Sequence, residues 1–141
     1  MKTYETTCSI CVLEHIPNYI EVLREAYRIL KKNGQMIFSV DALETIRDKR
    51  VIEKHKNEYF VEKYFRKEEL KAILEEIGFE RINVHSILRS DFAKKLFIKG
   101  INNKFQYGYL RSILTYALLR YKEHRCVVGN EGIYLIVKCY K

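Results

Sequence analysis

The stretch VLEHIPNYIEVLREAYRILKKNG, residues 12–34, joins an apolar run to an amphipathic segment. After Pro17, apolar side chains recur at three- and four-residue steps, which is typical of a helix that buries one face; they are Ile20, Leu23, Tyr27 and Leu30. Asn18 is placed to cap this helix, and the sequence Lys-Lys-Asn-Gly at 31–34 is placed to end it. The stretch therefore predicts one helix between residues 18 and 34.

Short apolar runs lie on both sides of this predicted helix. Residues 4–12 (YETTCSICV) and 35–40 (QMIFSV) are rich in aromatic and β-branched side chains and contain no Gly or Pro, which predicts two strands. The second run is nearly continuous, as expected for a strand that is covered on both faces. A strand, a helix and a strand with short connections predict a right-handed crossover in a parallel sheet.

The chain then continues with alternating elements. Residues 42–58 are charged and weakly patterned, which predicts a loop with a helical turn or two. An amphipathic helix, an alternating strand, an aromatic-rich helical segment and a last strand follow, over residues 66–78, 79–88, 90–125 and 133–140. Gly129 and Gly132 predict the turn before the last strand. We predict a single α/β domain over residues 1–141, with a helical cap or insertion at 90–130.

The charge of the chain is uneven. The 141 residues carry a net charge of +8, and a hydrophobic fraction of 48% is sufficient for a packed core. Residues 1–84 hold 15 basic and 15 acidic side chains, whereas residues 85–141 hold 11 basic and 3 acidic ones. The later region is therefore expected to meet an anionic partner or an acidic neighbour. No signal peptide is visible and no apolar run approaches the ~18 residues of a membrane span, which favours a cytoplasmic location.

The four cysteines give a weak metal signal. Cys8 and Cys11 form a CxxC pair in an apolar segment, but no second pair completes a zinc site. Buried, reduced thiols are the better interpretation, and they agree with a cytosolic protein.

Titratable residues follow both predicted strands of the crossover. Glu14 and His15 come after the first strand and Asp41 ends the second, and ligands of open α/β sheets bind at the carboxyl ends of the strands. These residues are candidates for ligand contact or general base catalysis. Spacing alone favours a helix cap or a surface pair for Glu14 and His15, and it favours a turn for Asp41. His55, His85 and His124 are interpreted as structural or solvated.

The basic, aromatic segment 90–125 has several interpretations. It could cap a substrate pocket, lie on an anionic membrane surface as a peripheral helix, or bind nucleic acid, the last being the least favoured. It could equally pack against a partner subunit or against further residues of the protein.

These residues together resemble the second half of a class I S-adenosylmethionine-dependent methyltransferase. Members of this family show an FD pair, a short apolar strand, a VLEH motif followed by Pro, and a helix with the pattern LxExxRxLKPGG. Here Tyr4-Glu5 stands for FD, residues 12–17 (VLEHIP) match in full, and residues 23–25 (LRE) and 28–31 (RILK) match the helix. Residues 32–35 (KNGQ) replace the usual PGG.

The resemblance extends further along the chain. Residues 65–84 (FRKEELKAILEEIGFERINV) are similar to a later helix and strand of the family, including its GF pair. The resemblance is continuous over residues 4–88, and residues 132–140 would be the last strand. It implies a Rossmann-like sheet of seven strands in the order 3-2-1-4-5-7-6 with the last strand antiparallel, of which this sequence supplies strands four to seven.

The resemblance also assigns roles to residues. The cofactor, S-adenosylmethionine, would be contacted at the end of strand four by Ser9, Ile10, Cys11 and His15. Glu14 or His15 would be the base, and Asp41 would face the substrate. Some members bind a metal through an ExxEH motif, but Cys11 occupies the first Glu position here, so we predict no metal.

The family's glycine-rich cofactor loop and the acidic residue that ends its second strand have no counterpart in this sequence. We therefore expect this chain alone to bind the cofactor weakly or not at all. Completed by an N-terminal half, it would transfer a methyl group to a small-molecule or membrane-linked acceptor. The alternative is a non-catalytic module that pairs with such a half, or with a second copy, through the open sheet edge and the basic helix.

Overall fold

Helices and strands alternate along the chain in the computed structural model, which describes residues 3–106, 109–126 and 131–141, with the side chains of 109–111 also left aside. The strands are β1 (Tyr4–Ile10), β2 (Leu30–Asp41), β3 (Glu80–Ile87) and β4 (Tyr134–Tyr140). The helices are α1 (Tyr19–Ile29), α2 (Lys49–Tyr59), α3 (Lys67–Ile77), α4 (Asp91–Asn102) and α5 (Tyr109–His124). A 3-10 turn, Leu13–His15, follows β1. Among the described helices, none is both long enough and apolar enough to cross a membrane.

The four strands form one mixed sheet in the order β1-β2-β4-β3. β1 and β2 are parallel, and β4 lies between β2 and β3, antiparallel to both. This is the order 4-5-7-6 that the family resemblance implies. The predicted α/β fold, a partial Rossmann-like methyltransferase sheet with flanking helices, is therefore confirmed.

The main core lies between the sheet and the pair of helices α1 and α3. The buried side chains come from both layers; they include Leu23, Phe38, Leu70, Leu74, Leu135 and Val137. A second cluster, formed by Leu43, Ile46, Phe97, Ile101 and Ile133, packs beyond the carboxyl ends of β1 and β2. This second cluster anchors α4 at the end of the sheet where ligands of such folds bind.

β1 is an edge strand, and most of its length is exposed. Ile10 is 77% exposed and Tyr4 is 49% exposed, because no described strand or helix covers the outer side of β1. The prediction of buried, reduced thiols is confirmed only in part. None of the cysteines in the described residues forms a disulfide, but Cys139 alone is buried and Cys8 is exposed on β1.

The boundaries of α1 differ from the prediction. The Asn18 side chain makes no capping hydrogen bond, and the helix ends at Ile29 rather than at the Lys-Lys-Asn-Gly sequence of residues 31–34. Leu30 already pairs with Tyr4, so residues 31–34 belong to the start of β2. Asn33 does adopt the left-handed conformation (φ 64°). Sheet pairing therefore overrides the helix-ending signal at these residues.

The predicted loop at 42–58 is wrong for its second half, which forms the three-turn helix α2. Asp48 caps this helix by accepting a hydrogen bond from the Arg50 amide at 2.9 Å. His55 is its only fully buried side chain, so the apolar period that identifies most helices is weak here. The helix is stabilised instead by the Asp48 cap and by the tertiary packing of His55.

The segment 90–125 is helical as predicted, but it consists of two helices. Ser90 caps α4, and the Glu123 carboxylate accepts the backbone amides of Arg89 and Ser90 at 2.9 and 2.7 Å. Hydrogen bonds thus fasten α5 to the start of α4. The large apolar side chains of α5 are mostly exposed, with Leu114 at 74%. Gly129 of the predicted turn lies outside the described residues.

Candidate functional site

Three polar side chains meet where β1 and β2 end. Asp41 is the last residue of β2, and Cys11 leaves β1 in the left-handed region (φ 48°), with its amide bound to the Ser39 carbonyl at 3.0 Å. The 3-10 turn then returns Glu14 toward Asp41. The Cys11 sulfur and carboxylate oxygens of Glu14 and Asp41 lie within 4.8 Å of one another.

Glu14 is completely buried, and neither of its carboxylate oxygens has a hydrogen-bonding partner in the described part of the chain. Its backbone carbonyl is well bound, because it accepts the amides of Glu62 and Lys63 at 2.8 and 3.1 Å. The alternative interpretations of Glu14 as a helix cap or a surface pair are therefore wrong. These backbone contacts hold the Glu14 carboxyl group inside the protein, close to that of Asp41.

Asp41 is 5% exposed and is held in the same way, since its carbonyl accepts the Phe65 amide at 2.9 Å. Burial, followed by the neighbouring Glu14 carboxyl group, raises the pKa of Asp41 to about 7. Among the described residues, no Lys or Arg forms an ion pair with either carboxyl group. The site thus places two carboxyl groups side by side with no Lys or Arg paired to them in the described chain.

His15 lies at the rim of the site and is exposed. Its Nδ1 is 3.1 Å from the Phe60 carbonyl oxygen. Because a carbonyl only accepts hydrogen bonds, Nδ1 carries the proton, and Nε2 of the neutral ring keeps its lone pair. His15 is therefore oriented by the backbone and available as a proton acceptor.

His55 belongs to the site, although the sequence interpretation set it aside. It is 4% exposed, with Nε2 at 3.8 Å from Asp41 Oδ2 and Nδ1 at 3.0 Å from the Tyr64 hydroxyl oxygen. Burial is the largest cause that lowers the pKa of His55, so the ring is neutral at neutral pH and its contact with Asp41 is not a salt bridge. The i, i+4 spacing of His55 and Tyr59 was the signal that could have placed both on one helix face.

These groups line an open cavity of about 310 Å³, together with Tyr59, Phe105 and Tyr134. Of the predicted site residues, Cys11, Glu14, His15 and Asp41 lie at this cavity. Ser9 and Ile10 lie beside it instead, along an apolar hollow of about 450 Å³ on the sheet face that Cys11 and Tyr134 also border. His85 is on the exposed surface of β3, as predicted.

The arrangement can bind a cation, take up a proton, or both. Burial raises the pKa of the Cys11 thiol, whose sulfur lies 3.4 Å from the Ser39 hydroxyl oxygen. A bound metal ion would have to displace that proton. The apolar hollow has the size of a small-molecule site. Cys11 lines both this hollow and the cavity that holds the two carboxyl groups, so the two spaces adjoin there. Ser9, Ile10 and Cys11 therefore fit one wall of a cofactor site.

The fold is shared with known methyltransferases. A phosphoethanolamine N-methyltransferase of Haemonchus contortus, solved with S-adenosylmethionine, matches 98% of this chain over 33% of its own, with 13% identity and a TM-score of 0.63. An S-adenosylmethionine-dependent methyltransferase of Archaeoglobus fulgidus matches 99% of this chain over 60% of its own, with 15% identity and a TM-score of 0.62. One of Thermotoga maritima matches 99% over 57%, with 20% identity and a TM-score of 0.60.

The chain thus spans between one third and three fifths of the length of these structures. The sequence has no significant match among curated proteins. A family model described as a methyltransferase domain matches residues 2–85, which is more than half of the chain. This protein therefore belongs to the methyltransferase domain family.

Proposed function

We propose that the protein forms part of an S-adenosylmethionine-dependent methyltransferase that acts on a small-molecule acceptor. The observation that carries this proposal is the convergence of Cys11, Glu14 and Asp41 at the carboxyl ends of two adjacent parallel strands. Side chains at such strand ends are held rigidly and face the crevice where α/β sheets bind ligands. The family and the solved methyltransferases of the same fold support the reaction class.

The cofactor would lie against the end of β1. Ser9, Ile10, Cys11 and His15 would form one wall of its site, because they border the apolar hollow and the adjoining cavity. S-adenosylmethionine, when bound, supplies a methyl group activated by a positively charged sulfur. Buried carboxyl groups nearby stabilise positive charge, which makes this end of the sheet a favourable place for such a ligand.

The described residues supply groups that accept a proton from the methyl acceptor. Asp41 would face the acceptor, and Glu14 or His15 would serve as the base. Asp41 takes up a proton near neutral pH because its pKa is raised to about 7, close to the range that suits a general base. His15 offers Nε2, because Nδ1 is engaged by the Phe60 carbonyl.

We expect these 141 residues alone to bind the cofactor weakly and to show little or no methyl transfer. The outer side of β1 is uncovered in the described chain, so the residues that would enclose the opposite side of a cofactor are not among those described. An N-terminal half of the same fold, placed against β1, would complete the site.

Amide chemical shifts in an S-adenosylmethionine titration test this function. We expect saturable shifts at residues 9–11 and 15 with a dissociation constant near the millimolar range. Ile10→Glu should weaken binding, since Ile10 is exposed and borders the hollow. His85→Gln, on the exposed surface of β3, is the control. No shift at residues 9–15 would refute the cofactor site, and a micromolar affinity would refute the incomplete-site part of the proposal.

A second candidate function is a non-catalytic module that pairs through the β1 edge. The exposed Ile10 and Tyr4 favour it, because an uncovered edge strand is a template for pairing. Size-exclusion chromatography with light scattering should then show a dimer that Cys8→Lys disrupts, since a lysine on the exposed edge blocks strand addition. His85→Lys adds the same charge elsewhere. A wild-type protein that stays monomeric across concentrations argues against this function.

A further inference from the structure

The cavity at the carboxyl ends of β1 and β2 has an unusual charge balance. Glu14 is fully buried with both carboxylate oxygens unpartnered in the described chain, and Asp41 faces the same cavity at 5% exposure. No Lys or Arg lines this cavity among the described residues. Two carboxyl groups that are buried side by side are costly to ionise together. The cavity is therefore electrostatically complementary to a positively charged ligand.

The histidine beside the carboxyl groups does not supply that charge. The Tyr64 hydroxyl lies 3.3 Å from the Ile52 carbonyl oxygen, to which it donates, and it therefore accepts a hydrogen bond from Nδ1–H of His55. His55 Nε2 then presents a lone pair toward Asp41 at 3.8 Å. Burial lowers the pKa of His55, so this ring is neutral at neutral pH and does not balance the charge of the carboxyl groups.

The other walls of the cavity are aromatic. Tyr59, Phe105 and Tyr134 line it, and the rings of Tyr59 and Phe105 meet at 5.9 Å, close to edge-on. His55 extends this wall, with its ring 4.9 Å from that of Tyr59. The faces of aromatic rings attract organic cations, and rings combined with carboxylates are the usual surroundings of bound ammonium groups. A hydrated metal ion gains much less from such walls.

We propose that this cavity binds an organic ammonium group and that the methyl acceptor of the protein is an amine. The inference rests on the proposed methyltransferase function for the transfer step but not for the binding step. Asp41 would accept a hydrogen bond from the ammonium group, and the buried Glu14 carboxyl group within 4.8 Å would add its charge. Tyr59, Phe105 and Tyr134 would surround its carbon substituents.

The same groups account for the proton that the reaction releases. An ammonium nitrogen must lose one proton before it can attack, and a carboxylate of the Glu14–Asp41 pair accepts it. The nitrogen lone pair then forms the new C–N bond while the C–S bond of S-adenosylmethionine breaks, and the electron pair of that bond stays on sulfur. The product is the methylated ammonium ion together with S-adenosylhomocysteine, and the carboxylic acid returns its proton to solvent.

A matched pair of probes tests the binding step without the cofactor. Benzylamine and benzyl alcohol have nearly the same shape, but only the amine carries a positive charge at neutral pH. Titrated into the whole chain and followed by amide shifts, benzylamine should bind at the cavity at least about tenfold more tightly, a difference of about 1.4 kcal/mol. Equal affinities, or amine shifts only outside the cavity, would overturn the proposal.

Variants and a metal titration sharpen the result. Asp41→Asn and Glu14→Gln conserve shape, and each should reduce benzylamine affinity at least about fivefold, whereas the exposed control Glu53→Gln should not. If either variant does not fold, the comparison of amine and alcohol on the wild type still decides. Zinc or manganese that binds at micromolar concentration and displaces benzylamine would identify a metal site and overturn the ammonium assignment.

The two proposals can fail separately. Benzylamine binding without any S-adenosylmethionine shifts would support the ammonium site and refute the methyltransferase function. S-adenosylmethionine shifts at residues 9–15 without preference for the amine would support the function and refute the amine acceptor.

Discussion

Replacing Asp41 by asparagine should change how the stability of the protein depends on pH. Burial and the neighbouring Glu14 raise the pKa of Asp41 from 3.8 to about 7 in the folded state. The folded protein therefore holds this proton more tightly than the unfolded chain. The resulting stabilisation is complete below pH 3.8 and is lost as the pH rises through 7. Asparagine keeps the shape of the protonated side chain and does not titrate.

The size of the effect follows from the two pKa values. Each pKa unit corresponds to about 1.4 kcal/mol, so the shift of about three units is worth at most about 4 kcal/mol. We expect the unfolding free energy of the wild type, relative to Asp41→Asn, to fall by up to that amount between pH 4 and pH 8. His55 contributes in the opposite direction, because burial lowers its pKa, but it is present in both proteins.

Urea unfolding followed by circular dichroism at half-unit pH steps measures this difference. Glu53→Gln is the control, since this exposed residue on α2 should shift the unfolding free energy by less than about 0.5 kcal/mol at every pH. A difference that stays flat would refute the reasoning about Asp41. A difference that rises with pH would do so more directly, because it would mean that the fold stabilises the ionised carboxylate.

Three further predictions concern elements around the site. Glu123→Gln should weaken the acceptor that binds the Arg89 and Ser90 amides, cost about 1–3 kcal/mol in urea unfolding and expose α5 to trypsin; unchanged cleavage would contradict it. Gly132→Ala should lower the melting temperature by several degrees, because the added methyl group would lie 2.5 Å from the Ile87 carbonyl oxygen; an unchanged melting temperature would contradict it. The whole chain should co-sediment with phosphatidylserine vesicles in a salt-sensitive way through the exposed apolar side chains and basic residues of α5, and vesicle binding that is absent or independent of salt would exclude this membrane contact.

Sequence periodicity was sufficient for the elements that bury one regular face. The stripe through Leu23, Tyr27 and Leu30 and the apolar run at 35–40 predicted a helix and a strand that both exist, although Leu30 belongs to the strand. The position of β4 between β2 and β3 came from the family resemblance, because strand order depends on pairing between distant residues. Local patterns therefore predicted the elements, and the resemblance predicted their arrangement.

The site was predictable only where its residues follow strand ends. Glu14 and Asp41 could be identified because the ends of adjacent parallel strands meet at one edge of a sheet. His55 was missed, since it lies on a helix with little apolar period and its contact with Asp41 is purely tertiary. Phe105 was missed for the same reason: it reaches the cavity from the segment after α4, within the region predicted as a cap.

The backbone explains how two carboxyl groups are held side by side inside this protein. Cys11 and Leu43 leave the two strands with φ values of 48° and 49°, a conformation that costs a non-glycine residue of the order of 1 kcal/mol. Glu62, Lys63 and Phe65 donate their amides to the carbonyls of Glu14 and Asp41 and fix both residues in place. The loop between α2 and α3 thus holds the carboxyl groups where no described cation reaches them.

This arrangement has a thermodynamic consequence for binding. The cost of burying the Glu14 and Asp41 carboxyl groups is already borne by the ligand-free fold, so a cationic ligand gains their attraction without having to assemble them. A bound cation also offsets the cost of burying these carboxyl groups. Binding should therefore raise the unfolding temperature, and the site should prefer a positively charged ligand. A neutral ligand of the same shape gains only contact with the aromatic walls. The preference for positive charge thus follows from the same burial and the same neighbouring Glu14 carboxyl group that raise the pKa of Asp41.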